Sequence, residues 1–439
     1  MLMLKQIIDL HIHSRYSRAC SRDLELPKIA SACTIKGVDI IGTGDFTHPM
    51  WLKHIKENLE EIGKNGIYRI KFPISNFQYQ ISNDQFQNIK FILTTELSCI
   101  YKHGDKTRRL HHVILAPNIA AVEKLVVELE KRGVNLKADG RPIMGLHSKE
   151  LLKILLEIDP AFMLIPAHAW TPWFGVFGSK GGYNTLEECF GELTPHIRAI
   201  ETGLSSDPAM NWRWSKLDNI TLVSNSDAHS LSKIGREANV FGFENEKEIS
   251  YSEIIRIIKE GDKKKFLRTI EFYPEEGKYH YDGHRDCKFV CSPIETKKLK
   301  GICPKCKKSL TVGVMNRADE LADRSEAETK NIIHIPYQSM VPLAEIISDV
   351  LEVGVSSKKV AAEYNNLIKK LGSEFKILLE TKIEQIALCG SPEIARAIER
   401  VRAGNIFVRP GYDGEFGVVK VFEESEIKNR PKQASLLLD

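Results

Sequence analysis

Through the first half of the chain, short apolar runs end repeatedly on His, Asp or Glu, with helix-like stretches between them. Ile7-Ile8 leads into Asp9-Leu10-His11-Ile12-His13, and Val38-Asp-Ile-Ile-Gly-Thr-Gly closes on Asp45. Phe91-Ile-Leu-Thr-Thr delivers Glu96, Leu110 to Leu115 carries His111 and His112, and Met163-Leu-Ile-Pro-Ala leads to His168. Thr221-Leu-Val-Ser-Asn-Ser leads to Asp227 and His229, and Arg198-Ala-Ile-Glu201 is a further strand with an acidic end. Apolar runs bounded by turn residues read as strands, and the segments between them read as amphipathic helices. One such helix, Leu26 to Gly37, has Pro27 at its start and Gly37 at its end. The alternation predicts an α/β layered or barrel domain with a mainly parallel sheet, from Ile7 to about Asn245. In such a sheet the carboxyl ends of the strands share one face, so the His, Asp and Glu termini are expected to converge there. On an extended strand Asp9, His11 and His13 share one side, about 6–7 Å apart.

Beyond Tyr251 the pattern changes. A helical stretch to Gly261 and the basic turn Asp262-Lys-Lys-Lys265 precede a strand, Phe266 to Tyr273. Then comes Cys287-x3-Cys291-x11-Cys303-x2-Cys306, two knuckles that each offer a pair of thiols. Four thiolates at this spacing match a closed tetrahedral zinc site, which has a structural role, with His280 and His284 as spare donors. From Val341 to Gly404 helical periodicity dominates. Leu343, Ile346, Ile347, Val350 and Leu351 form one apolar stripe, and Ile394, Ala395, Ile398 and Val401 another. A turn at Tyr412-Asp413-Gly414 follows, expected to present Tyr412 outward, and the segment 430–439 reads as frayed. The expected organisation is a catalytic domain over 1–245, a four-cysteine module over 246–330 and a mainly helical domain over 331–439.

Charge changes this picture locally. The chain of 439 residues has a formal net charge of only +4, yet from Arg285 to Lys308 eight Lys or Arg face Asp286 and Glu295. A zinc thiolate centre adds about −2 and leaves the module basic, which suits contact with a phosphate backbone as well as a solvated face. Hydrophobic residues make up 42% and charged ones 27%, a balance typical of soluble globular chains. No apolar run reaches the ~18–20 residues of a membrane span, and the N-terminus lacks a signal-peptide layout. Nine cysteines, four of them clustered, fit metal binding in a reducing compartment better than a disulfide framework, so the cytoplasm is expected.

Two further stretches adjoin the expected catalytic face. The Ser98–His112 segment reads as a hairpin carrying Lys102, His103, Lys106, Arg108 and Arg109. The loop from Ala169 to Tyr183 is aromatic and glycine-rich, with Trp170, Trp173, Phe174 and Lys180. Exposed aromatics beside cations suit base stacking and backbone contact, and covering the mouth of the domain explains them equally well. Lys102, Arg108, Arg109, Trp170, Trp173, Phe174, Lys180, Arg213 and Tyr412 are the candidate nucleic-acid contacts.

In their order, Asp-Leu-His11-Ile-His13, Gly-Asp45, Glu96, His111-His112, Pro-Ala-His168 and Ser-Asp227-Ala-His229 resemble the polymerase and histidinol phosphatase (PHP) superfamily of metal-dependent phosphoesterases. The resemblance implies a distorted seven-stranded α/β barrel with two or three divalent ions (Zn, Mn or Mg), besides one structural Zn. The ligand positions it implies are His11, His13, Asp45, Glu96, His112, His168, Asp227 and His229. His112 is preferred over His111 because it immediately precedes the apolar run. Phe46, rather than a His, follows Asp45, a departure from the superfamily pattern. Over essentially the whole chain, the four-cysteine module, the helical C-terminal region and stretches such as Ser206-Asp-Pro-Ala-Met-Asn-Trp-Arg213 resemble the endonuclease Q branch. What that implies is DNA repair by hydrolysis of the phosphodiester 5′ to deoxyuridine, deoxyinosine, xanthosine as a further candidate, and abasic sites. DNA would then be the partner, with nucleoid association, and a replication sliding clamp is a further candidate.

Imidazoles and carboxylates together suit zinc or manganese. Paired ions activate water and clamp an in-line displacement at phosphorus, with Glu96, Asp227 and His229 as the catalytic set and Glu96 as the bridge. No Ser-His-Asp or Cys-His set competes. A phosphatase for small phosphomonoesters leaves the basic module unexplained. A non-catalytic nucleic-acid-binding scaffold leaves the ligand set unexplained.

Overall fold

In the computed structural model, residues 3–71, 88–423 and 426 are described; the 430–439 segment lies outside them. Nine strands build the frame of the site: β1 (Leu4–Asp9), β2 (Ile40–Gly42), β3 (Lys90–His103), β4 (Lys106–Ala116), β5 (Met163–Pro166), β6 (Ala199–Glu201), β7 (Thr221–Val223), β8 (Ala238–Phe243) and β9 (Phe266–Glu271). The arrangement is mixed rather than mainly parallel. β1 runs parallel to β2 and β2 to β3, whereas β3–β4, β4–β5, β1–β8 and β8–β9 are antiparallel. The parallel pair β6–β7 stands as a separate two-stranded sheet. The hairpin predicted near Ser98–His112 is the tip of the long β3–β4 ribbon, closed by Gly104 in the left-handed region (φ 60°). A two-residue connection lets neighbouring strands pair antiparallel without a crossover helix, which the strand pattern alone does not reveal.

All nine strands send side chains into one buried cluster, among them Ile8, Ile40, Ile92, Val113, Leu115, Ile165, Val223, Phe241 and Phe266. The helix Tyr251–Glu260 presses Tyr251, Ile254, Ile257 and Ile258 into the same cluster. At about 1.5–3 kcal/mol per fully buried large apolar side chain, this helix is bound firmly to the strand frame. The sheet therefore continues beyond residue 245, the expected end of the first domain. The strand Tyr337–Ser339 also joins it, pairing parallel with β9.

The expected C-terminal helices form as Leu343–Leu351, Lys358–Leu371, Glu374–Leu379, Ile383–Cys389 and Pro392–Arg402. Leu343, Ile346, Ile347, Ile394, Ala395, Ile398 and Val401 are buried, while Leu351 at the end of the first stripe is exposed. Ser357 and Ser391 cap two of these helices through their hydroxyls. Lys36 pairs with Glu374 at 2.6 Å across the boundary with the strand frame. Among the described residues no helix is long and apolar enough to cross a membrane.

Candidate metal centre

The strand-end residues do converge. His11, His13, Glu96 and Asp227 each offer an atom to one cluster, and Glu96, His111 and His168 to a second, with all donors of a cluster within 4.8 Å of one another. Glu96 belongs to both. Its Oε2 lies 3.6 Å from His11 Nε2 and 3.3 Å from His13 Nε2, while Oε1 lies 2.8 Å from His111 Nδ1 and 3.1 Å from His168 Nε2. Asp227 Oδ1 completes the first cluster, 3.0 Å from His13 Nε2 and 3.6 Å from His11 Nε2. Bond lengths of about 2.0–2.2 Å in a tetrahedral zinc site imply ligand edges of about 3.4 Å, which these separations bracket. His11 Nε2 is buried without a hydrogen-bond partner. An orphaned imidazole nitrogen among carboxylate oxygens fits a cation between them.

His111, and not His112, is the histidine of β4 that faces the cluster. Side chains alternate along a strand, so His111 shares a face with Val113 and Leu115 of the inner cluster, whereas His112 shares the opposite face with Ile114. Opposite partners in the ladder agree, since Glu96 pairs with Val113 and Ser98 with His111. His112 instead bonds Ser148 Oγ through Nε2 (2.8 Å). Burial pushes its pKa down to about 3.

Two carboxylates stand behind the imidazoles. Asp45 Oδ1 lies 3.1 Å from His13 Nδ1, and its Oδ2 accepts from Ser14 N, Ser14 Oγ and Ser17 Oγ (2.7, 2.6 and 2.8 Å). In this geometry Asp45 orients His13 and lies outside the two donor clusters. Glu201 does the same for His11, with Oε1 and Oε2 at 3.0 and 3.1 Å from Nδ1; it also accepts from His168 N and Asn225 Nδ2. Glu201 was legible as an acidic strand end, but its function depends on which imidazole it meets. Such partners fix the tautomer and raise the basicity of a ligating histidine. Asp9 also differs from its expected place beside His11. Its carboxylate accepts from the backbone of Ser226 and Gly235 (3.1 and 3.0 Å), tying the loop after β7 to β1. His229 lies at the rim, its ring 4.6 Å from that of His13 and its Nδ1 2.8 Å from the Asp227 carbonyl.

Electrostatics and strain are concentrated here. Burial opposes the charged form of His11, but Glu201, Glu96 and Asp227 outweigh it and hold its pKa well above the ordinary value. Burial likewise opposes ionisation of Glu96, and His111, Arg141 and His11 reverse that, holding its carboxyl well below the ordinary range. Burial outweighs the opposing pull of Glu96 and pushes the His111 pKa down to about 4, so without a further partner its ring is neutral and free to donate a lone pair. Asp45, His168 and Asp227 all have positive φ (47°, 30° and 46°), and so does Phe174 (68°), whose ring stacks on His111 at 4.2 Å. Non-glycine residues in this region each cost of order 1–3 kcal/mol, which the surrounding fold sustains in order to aim these side chains.

The comparisons with known proteins bear on this geometry. The crystal structure of the lesion-specific endonuclease PfuEndoQ from Pyrococcus furiosus is 31% identical over 98% of each chain, with a TM-score of 0.81. This chain belongs to the endonuclease Q family. A structure of endonuclease Q with a 27-mer duplex substrate carrying an abasic lesion at the active site is also 31% identical, covering 98% of this chain and 99% of that one, at a TM-score of 0.80. The family model described as the MJ0043 C-terminal domain matches residues 342–405, which are the C-terminal helices. The uncharacterized protein MJ0043 of Methanocaldococcus jannaschii is 28% identical over 72% of this chain, and the chain spans 42% of that relative's length. The uncharacterized protein YqxK of Bacillus subtilis is 27% identical over 95% of this chain and 100% of its own.

In this endonuclease Q chain the cysteine module gathers Cys287, Cys303 and Cys306 with His284, all within 4.8 Å. Cys291 packs in the same small core, with its Sγ 3.2 Å from Thr296 Oγ1. Zinc is the ion whose ligand chemistry these residues fit.

The candidate DNA contacts divide sharply. Trp173 is 51% exposed, with the Arg109 guanidinium 5.4 Å from its ring centre, and Lys102 and Lys180 are exposed. Arg108 lies on the Tyr183 ring and donates to the Gly182 carbonyl. Trp170 is not a surface stacker. It is buried against Phe177 and Trp214 and donates to Asn211 Oδ1 (2.7 Å), because the loop folds back so that Phe177 N meets the Ala169 carbonyl. Arg213 is tied to Asp319 at 2.6 Å, and Tyr412 lies on Gly283 of the cysteine module rather than outward.

Proposed function

We propose that this chain is a lesion-specific DNA endonuclease that hydrolyses the phosphodiester 5′ to deaminated bases and abasic sites. The observation that carries the reading is the double cluster around Glu96, on a fold aligned end to end with an endonuclease Q whose structure holds abasic DNA at its active site. His11, His13, Glu96 and Asp227 would hold one divalent ion and Glu96, His111 and His168 a second, with His229 at the rim and the strands around them as the distorted barrel of the PHP superfamily. When bound, such ions supply Lewis-acid stabilisation at phosphorus and activate water near neutral pH. The chain's own part is orientation. Glu201 and Asp45 fix the His11 and His13 rings, the buried walls exclude bulk water, and Asp227 and His229, 24% and 33% exposed, meet the entering strand. The water oxygen bonds to phosphorus as one phosphorus–oxygen bond to sugar breaks, leaving an alcohol and a phosphomonoester.

Discrimination between lesions requires the base to leave the stack, since uracil and hypoxanthine differ from cytosine and adenine at an edge hidden in the duplex. Trp173, exposed beside Arg109, is the side chain best placed to fill the gap left behind. Duplexes containing uracil, hypoxanthine, an abasic site or no lesion, incubated with Mn²⁺ or chelator, test this. Nicking of the lesion strands alone, abolished by chelation and by Asp227→Asn with folding retained, is expected. Equal cutting of all four duplexes removes lesion recognition, and release of phosphate from small monoesters without nicking replaces the reading altogether.

A further inference from the structure

We propose that Arg141 grips the scissile phosphate, an assignment that rests on the phosphodiester-cleavage reading of the metal centre. The loop that delivers Arg141 is pinned on several sides. Gly140 N–H donates to the Tyr16 carbonyl (3.0 Å), Ser98 N–H to the Pro142 carbonyl (3.2 Å), and Arg141 N–H to the Asp139 carboxylate (3.0 Å). Gly140 approaches the site so closely that a Cβ there would fall 2.3 Å from Asp45 Oδ2 and 2.4 Å from Ser17 Oγ. The guanidinium is therefore aimed by backbone packed against the carboxylate that backs His13.

From this loop Nη1 donates to Glu96 Oε2 at 2.8 Å, using one of five guanidinium N–H groups. Among the described residues it is the one Lys or Arg side chain paired with a carboxylate of the two clusters. Arg236, also close by, is committed elsewhere, donating to the carbonyls of Ser226 and Asp227 (2.8 and 3.4 Å). Arg141 is also reachable. Its side chain is 22% exposed, like Asp227 at 24%, whereas His11, His13 and Glu96 are 1% or less. A strand entering the mouth meets Arg141 before the rings of His11 and His13.

Charge decides what that position is for. Asp45, Glu96, Glu201 and Asp227 surround the donors with negative charge, and Arg141 offsets a single unit of it. Two divalent ions add about +4, which offsets these four carboxylates and leaves the guanidinium as surplus positive charge at the mouth, a position that favours an arriving anion. The non-bridging oxygens of a phosphodiester supply that anion, and the planar fork of arginine matches two of them at once. Glu96 Oε2, shared between Arg141 and the first cluster, holds the guanidinium in place until phosphate arrives.

The test uses inorganic phosphate as the probe, on the full chain loaded with Mn²⁺. Calorimetry on wild type, Arg141→Lys and Arg141→Gln would measure phosphate affinity, with bound manganese counted on the same samples and duplex nicking followed in parallel under single turnover. Loss of charge-assisted hydrogen bonds predicts phosphate binding weaker by about 10- to 100-fold in Arg141→Gln and by less in Arg141→Lys, with manganese content unchanged. Nicking should fall in the same order. Unchanged phosphate affinity in Arg141→Gln overturns the assignment, and so does a loss of manganese, which would make Arg141 a support for Glu96 alone. If phosphate binding depends on Arg141 but wild type cuts no duplex, the endonuclease reading fails while the anion grip stands.

Discussion

His111→Ala and His112→Ala, made separately, test the assignment of the two faces of β4. His111 Nδ1 lies 2.8 Å from Glu96 Oε1 and 3.3 Å from His168 Nε2, so it supplies one of three donors to the second cluster. Losing a mere supporting partner of a ligand weakens metal affinity about 10- to 100-fold, and losing the donor itself should reach at least the upper figure, about 2.7 kcal/mol. His112 meets no donor of either cluster. Its ring is fully buried, and its truncation removes the bond to Ser148 and leaves a cavity. That costs about 2–4 kcal/mol of folding free energy while leaving metal binding intact. Equilibrium dialysis against Mn²⁺ with elemental analysis measures the first effect, and urea unfolding of the metal-free proteins measures the second. A His112→Ala protein that loses an ion while His111→Ala retains its full complement would refute the face assignment and the two-cluster geometry with it.

Glu201→Gln keeps shape but removes the carboxylate behind His11 and should weaken manganese affinity about 10- to 100-fold in the same dialysis; an unchanged affinity rules out its orienting role. Burial pushes the Glu271 carboxyl up from its ordinary 4.5 to about 7, so the native protein retains a proton that the unfolded chain releases. Stability should therefore fall as pH rises from 4.5 to about 7, and Glu271→Gln should flatten that fall by on the order of 3 kcal/mol; parallel stability–pH curves for the two proteins contradict this. Trp173→Ala should weaken binding to lesion duplex about tenfold without loss of stability, whereas Trp170→Ala should cost about 3–5 kcal/mol of stability, and anisotropy beside thermal melts shows whether the two effects separate. Cys303→Ser should release zinc and raise protease sensitivity near residues 282–311, while an unchanged zinc content removes that thiol from the site.

The chemistry of the centre was legible before its geometry. His11, His13, Glu96, His168 and Asp227 sit where apolar runs end, and the physics of a strand feeding a polar face makes such ends visible in one dimension. The cysteine spacing and the helical stripes of residues 343–401 were readable for the same reason, because each depends on neighbours a few positions apart. Local sequence does not encode which side of a strand faces inward. Both histidines of the 111–112 pair adjoin the same apolar run, and only the pairing of Glu96 with Val113 puts His111 inside. Trp170 and Trp173 look alike in a glycine-rich loop until the chain turns back to bury one of them.

Local sequence thus determined the kinds of ligand, their order and the elements that carry them. Tertiary structure decided how they are shared. Glu96 serves two clusters, Asp45 and Glu201 stand behind His13 and His11, and Arg141 reaches the centre from a loop with no motif of its own. The physical reason is one of range. Strand and helix propensities act over a few residues, whereas the field at a buried carboxylate is summed over every charge within several ångströms, whatever its position in the chain.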